Sequence, residues 1–337
     1  MTRPARRRGG GREGFALVLA LWFLVVFLLA VLAMGHFLRL ETRADAFRQG
    51  RLGAYYAARA GFGQAAALLC GLWSDGRPGA FVHRGWQSWS QGRYQGRFLV
   101  QSEGGKFNLN NAGQGAVARA LQRLGLERGR AQALRDAIFD WVDGDNTPRL
   151  AGAEARFYGQ VMGAPGPRNG PFDCLGELAG VAGVEPEMLL GLGPRARELG
   201  LTPGRGLWSV FTVYGDHRAV NLNSAPPEVL HCLPCMPARA VERLLKARAR
   251  EPLHDVDQAR RALGEEVYNL VRPWVNLDPS PYYTVISQGW RKGSATRRSL
   301  LAVVRLDEMA RVDICYWIDD LYYALPDDGD GSGGLKR

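Results

Sequence analysis

The chain has 337 residues, more than one small domain needs, and 46% of them are apolar, the proportion of a protein with a real core. Its formal net charge is +10, yet five of the arginines (Arg3, Arg6, Arg7, Arg8 and Arg12) crowd the first twelve positions. The other basic residues are scattered, with no run of five or more, which argues against a nucleic-acid face and for solvated surface.

From Gly14 to Leu38 the chain reads GFALVLALWFLVVFLLAVLAMGHFL, with no charge between Phe15 and Gly35. As a helix this run is roughly 30 Å long, enough to cross the hydrocarbon core of a bilayer. Basic residues on its amino-terminal side hold that end in the cytoplasm and put the rest beyond the membrane. A cleaved secretory signal would have a shorter apolar core followed by a small-residue site. Here the small-residue step, Glu13-Gly14-Phe15, precedes the run.

A short basic leader, a Gly-Phe junction and a long apolar helix resemble the type IV pilin class. In that class a prepilin peptidase cuts after the glycine and methylates the new amino terminus, which implies Gly14 and Phe15 as the cleavage and N-methylation site. The fifth residue after that cut is Leu19. Pilins that stack in a filament usually carry glutamate there, opposite the buried amino terminus of a neighbour, so leucine suits a subunit at the filament's end.

Past the membrane, Phe37, Leu40, Ala44 and Phe47, then Tyr55, Ala58, Phe62, Ala65 and Leu69, recur at three- and four-residue steps. One long helix, half in lipid and half amphipathic, is expected, ending at the cluster Ser74–Gly79. Strands are expected at 93–102, 282–288 and 299–306, with a turn over Gly289–Ser294 between the last two and an edge strand at 311–317. Between the first strand and the second the pattern is helical: 114–126, 130–142, a helix from Phe172 capped by Asp173, 186–199, a helix capped by Ser224, 241–250 and 255–263. The fold class is therefore α+β: a pilin-like long N-terminal helix packed on a small antiparallel sheet, with a large inserted all-α domain. The expected division is a basic prepilin leader (1–14), the transmembrane and amphipathic pilin helix (15–72), the β-domain's first part (73–106), the inserted α-helical domain with a helix-hairpin-helix-like segment (107–276), the β-domain's second part (277–325) and a disordered tail (326–337).

Within this frame, SEGGKFNLNN at 102–111, LRDAIFDWVDGD at 134–145, Gly152-Ala153-Glu154 with Phe157-Tyr158, Asn169–Asp173 and VNLNSAPPEVL at 220–230 occur in order. Behind a pilin-like leader, this set resembles the general secretion pathway protein K family, the large minor pseudopilins of type II secretion. The resemblance implies a non-enzymatic protein of the inner membrane, single-pass, with a cytoplasmic amino terminus and its bulk in the periplasm. It further implies a place at the pseudopilus tip, priming or capping assembly and supporting export of folded proteins. The implied partners are other minor pseudopilins, the major pseudopilin, prepilin peptidase, the membrane, and the secretin or the exported substrate; no nucleic acid is expected.

Asp136, Asp140 and Asp143 share one helix face, opposite Leu134, Ile138 and Trp141. Asp143, Asp145 and Glu154 have the spacing of the first, third and last acidic ligands of an EF-hand loop, with Thr147 fifth, although Pro148 stands where glycine is usual. Carboxylates this close repel unless a cation sits among them, so Asp140, Asp143, Asp145 and Glu154 form a candidate calcium site. The family resemblance also implies calcium in this domain, although Ala155 replaces an acid that relatives often carry. The alternative is a solvated acidic turn answered by Arg135, Arg149 or Arg156. A rival function is a membrane-anchored, DNA-binding helix-hairpin-helix protein built on 220–250, with Arg239, Arg243, Lys246 and Arg248 as its cations. Its hairpin, Leu233–Pro237, lacks the glycine such modules use and carries prolines that remove donors. Cys232-Leu-Pro-Cys235 has no second pair to complete a zinc site, and a structural role is expected. The five histidines are scattered and no nucleophile motif accompanies them.

Overall fold

The computed structural model describes residues 12–76, 85–161, 166–191, 194–201 and 206–319. Most of the basic leader and the whole of the expected disordered tail lie outside these residues. The chain divides into two compact units, Met1–Gly53 and Ala54–Arg337. Helix α1 (Arg12–Ser74) supplies the described part of the first unit and the opening of the second. In the first unit its side chains from Phe15 to Leu40 are exposed, and the segment is long and apolar enough to cross a membrane. α1 stops at Ser74, where the polar cluster begins.

In the second unit, strands β1 (Gln87–Gln91) and β2 (Tyr94–Ser102) form a hairpin around Gly92, whose φ of 56° suits the turn. A 3-10 turn, Glu103–Gly105, leads into the two-residue strand β3 (Phe107–Asn108). Then come α2 (Gln114–Arg123), α3 (Arg128–Val142), α4 (Ala155–Val161), a second 3-10 turn at Leu175–Gly180, α5 (Pro186–Leu190), α6 (Pro194–Glu198) and α7 (Leu207–Val210). Short strands β4 (Phe211–Thr212) and β5 (Val220–Asn221) precede α8 (Pro227–Cys232), α9 (Ala238–Arg250), α10 (Val256–Leu263), α11 (Glu265–Val271) and β6 (Val275–Asn276). Strands β7 (Tyr282–Arg291), β8 (Arg297–Leu306) and β9 (Val312–Asp319) close the described chain.

The main sheet has the order β1-β2-β7-β8-β9, antiparallel throughout, so it takes strands from both sides of the helical stretch. Both its faces are covered. On one, Phe98, Val100, Tyr283, Val285, Ala302 and Val304 pack with Ala65 and Leu69 of α1. On the other, Leu301 and Val303 join the core of the helical region. Burial on both faces explains why Leu300–Val304 is an unbroken apolar run.

The helix approaches the sheet on small residues. Ala54, Ala57, Ala58 and Gly61 face β7, and Ser287 Oγ donates to the Ala58 carbonyl at 2.8 Å. A Cβ on Gly289 would lie 2.5 Å from the Ala57 carbonyl carbon and 2.6 Å from the Ala54 oxygen. Gly289 is therefore a packing residue inside β7, and the turn expected at Gly289–Ser294 begins only after Arg291.

The SEGGK segment joins sheet to helices through a buried ion pair, with Lys106 Nζ 2.5 Å from Glu103 Oε1 and Thr284 Oγ1 donating to the same oxygen at 2.6 Å. The glycines between them abut Ser280 and the Ser224 backbone, with no room for a side chain. Two asparagine pairs hold the helical region. Asn108 Oδ1 accepts from Asn110 N–H and Asn221 Oδ1 from Asn223 N–H. In each pair the second amide clamps a distant backbone at both its groups, Asn110 at Phe172 and Asn223 at Leu253.

Several expected caps differ. Asp173 pairs with Arg168, and the 3-10 turn that replaces the expected helix starts after Cys174. The Ser224 N–H belongs to the Asn221 turn, and α8 starts after Pro226. Gly191, left-handed at φ 65°, ends α5 and divides the expected 186–199 helix.

Candidate metal centre

Helix α3 carries the acidic cluster because its two faces are both used. Leu134, Ile138 and Trp141 are buried in the core, where Trp141 stacks on Phe172 and meets the edge of Tyr158. Asp136 and Asp140 are buried as well, beneath the loop that runs from Asp143 to Glu154. Arg135 answers Asp136, with Nε at 2.9 Å. Arg149 answers Asp140, with Nη1 2.5 Å from Oδ1 and the backbone N–H 3.2 Å from Oδ2. The same Nη1 bonds Asp143 Oδ2. Burial pulls the Arg149 pKa down, but its hydrogen bonds to Asp143 and Asp140 outweigh this and raise it. Gly152 lies against Asp140, where a Cβ would come within 2.7 Å of the carboxyl carbon.

Carboxylate oxygens of Asp143, Asp145 and Glu154 lie within 4.8 Å of one another. Asp140 stands outside this trio, in the grip of Arg149. Asp145 also ties its own loop, accepting from Thr147 N–H at 2.7 Å. Asp143 Oδ1 and both oxygens of Glu154 are buried without a hydrogen-bond partner. Glu154 is only 3% exposed. Desolvation, then the charges of Asp140 and Asp143, push its carboxyl above the usual range. A buried carboxylate with no cationic partner is costly, and a cation among the three groups removes that cost. The donors are all oxygen and come from a loop, which suits calcium and offers no histidine or thiolate for zinc.

The other sequence candidates are placed as follows. Gly14 and Phe15 lie in the first turn of α1. Arg248 is buried and donates to the Leu222 carbonyl at 2.7 Å, burial drawing its pKa down to about 10. Arg243 caps α10, donating to the carbonyls of Ala262 and Leu263. Two of the four cations of the DNA-binding reading are thus spent on backbone oxygens. All five cysteines are free. The Cys232 thiol is buried, donates to the Glu228 carbonyl and is pushed up to about 12 by desolvation, as a packing residue would be. From residues alone Arg149 is one of three basic residues near the turn; its spacing from Asp140 and Asp143 does not disclose that one nitrogen holds both.

Residues 99–196 match the model of the first domain of type II secretion system protein K. A type II secretion system protein K from Klebsiella pneumoniae is 28% identical over 192 residues. The fold also matches a chain of the GspK-GspI-GspJ complex of the enterotoxigenic Escherichia coli type 2 secretion system, with a TM-score of 0.56 at 14% identity, over 83% of this chain and 99% of that one. Over these residues the chain is similar to type II secretion system protein K. The Klebsiella match spans 54% of this chain and 54% of its relative, so the chain spans about half the length of the curated relative it matches. The acidic cluster falls inside the matched residues.

Proposed function

We propose that this chain is a protein K of type II secretion, a non-enzymatic minor pseudopilin acting at the tip of the pseudopilus. The observation that carries this reading is that one helix contains both a membrane-length apolar segment and the small-residue stripe on which the sheet packs. Such a helix can be drawn from lipid into a filament while the sheet stays folded on its far half. Leu19 in place of the filament glutamate supports an end position, and the helical region between β2 and β7 adds bulk that a tightly repeating subunit has no room for. The proposed topology is a cytoplasmic leader cut by prepilin peptidase between Gly14 and Phe15, one span of the inner membrane, and residues beyond it in the periplasm. The relative's complex with GspI and GspJ makes the corresponding minor pseudopilins the proposed direct partners. The major pseudopilin, and the secretin or exported substrate, follow as contacts of a tip. Residues 107–276 form the proposed inserted domain, with calcium held by Asp143, Asp145 and Glu154.

Mass spectrometry of protein from peptidase-containing cells should find an N-methylated Phe15 start. A mature chain that begins at Met1, or one without the apolar helix, overturns the reading. For the ion, Glu154→Gln should abolish the rise in melting temperature that calcium gives the parent.

A further inference from the structure

Arg149 stands beside the proposed calcium site and takes one oxygen of its central carboxylate. Asp143 Oδ2 accepts from Arg149 Nη1, while Asp143 Oδ1 is buried and unpartnered, and the Asp143 carboxylate brings an oxygen within 4.8 Å of those of Asp145 and Glu154. The same Nη1 bonds Asp140, which is 0% exposed, and the guanidinium carbon lies 5.8 Å from the centre of the Phe139 ring. We propose that Arg149 is a built-in counter-cation that shares Asp143 with the bound ion, holding the acidic loop together when no ion is present and weakening the site when one arrives. This rests on the calcium reading of the cluster.

Asp140, Asp143, Asp145 and Glu154 bring four negative charges, and Arg149 offsets one of them. A divalent ion that enters on the Oδ1 side of Asp143 meets a carboxylate already polarised toward the guanidinium, and a positive charge about one carboxylate away. Like charges at roughly 6 Å, with the screening of a partly exposed site, weaken binding on the order of tenfold. Removing the guanidinium has the opposite consequence for the empty protein, because Asp140 is then buried with a charge and no cation. Arginine and calcium are thus anti-cooperative, each doing part of the other's work.

The test is a calcium titration of the full chain in detergent at fixed ionic strength, read by calorimetry and by melting temperature, for the parent, Arg149→Gln, Arg149→Lys and Glu154→Gln. Arg149→Gln should melt below the parent in chelator, bind calcium about tenfold more tightly, and gain more degrees from it. Arg149→Lys keeps the charge but not the fork and should fall between the two, which preserves the sign of the effect if the glutamine variant does not fold without calcium. Equal or weaker calcium binding by both arginine variants, with the parent bound and Glu154→Gln unbound, overturns the sharing of Asp143 and leaves the ion site standing. No calcium response in the parent or in any variant overturns both.

Discussion

Gly289→Ala tests the contact between helix and sheet. The added methyl would sit 2.5 Å from the Ala57 carbonyl carbon and 2.6 Å from the Ala54 oxygen, and closer still to the Ala58 nitrogen. All three are backbone atoms of α1, so no rotamer change relieves the clash. Helix and strand must separate by about 1 Å to reach ordinary contact, and packing of this kind costs about 1–3 kcal/mol. The same separation breaks the 2.8 Å bond from Ser287 to the Ala58 carbonyl, worth about 1 kcal/mol. Against this stands a gain of roughly 0.5 kcal/mol from the stiffer unfolded chain. The net expectation is a loss of about 1.5–3.5 kcal/mol. Urea unfolding of the full chain in detergent, followed by tryptophan fluorescence, measures it. Gly63→Ala is the control, because Gly63 is exposed on the same helix with nothing within 4 Å, and the change should stabilise by about 1 kcal/mol. If Gly289→Ala unfolds within 0.5 kcal/mol of the parent, the close approach of helix to strand is not what holds this layer.

Lys106→Met leaves Glu103 buried beside Thr284 without its cation and should cost about 3–5 kcal/mol in the same unfolding assay; adding Glu103→Gln should restore most of it. Asn223→Ala removes both bonds to the Leu253 backbone and should cost about 2 kcal/mol, read as faster amide exchange at Leu253. His217 lies with Nε2 3.2 Å from the Lys106 carbonyl, and desolvation lowers its pKa below the ordinary 6.5, against that hydrogen bond and the charges of Glu103 and Asp216. The unfolded chain then binds the proton first. Stability should hold above the ordinary histidine value, fall as pH drops through 6.5 toward the lowered one, and level off below it. His217→Gln should remove that step from a melting-temperature profile between pH 8 and 5.

What could be read from residues alone depended on how many neighbours a pattern needs. The apolar helix and the apolar run of β8 announce themselves by continuity, and β2, β7 and β9 by their β-branched and aromatic residues. Strand β1 does not: QSWSQ is polar because it lies at the sheet's edge, and only the Gly92 turn hints at a hairpin. Gly289 looked like punctuation because a glycine that frees a turn and a glycine that lets a helix come close are the same letter. Ser224 and Asp173 looked like helix caps, but Asn221 and Arg168 respectively engage them first. At the acidic loop the carboxylate spacing was visible, as it repeats a known loop. That one nitrogen of Arg149 would hold both Asp140 and Asp143 was not, because it depends on where Arg149 folds back.

Arg97 and Gln288 are hydrogen-bonded across β2 and β7 although 191 positions separate them. A nascent chain delivered from its amino terminus therefore presents the β1–β2 ribbon long before the third strand emerges. For that interval one border of β2 offers bare amides and carbonyls to any extended peptide nearby, and closing so long a loop is slow. The helical stretch must collapse first to bring the two borders side by side, which makes its own folding the clock for the whole sheet.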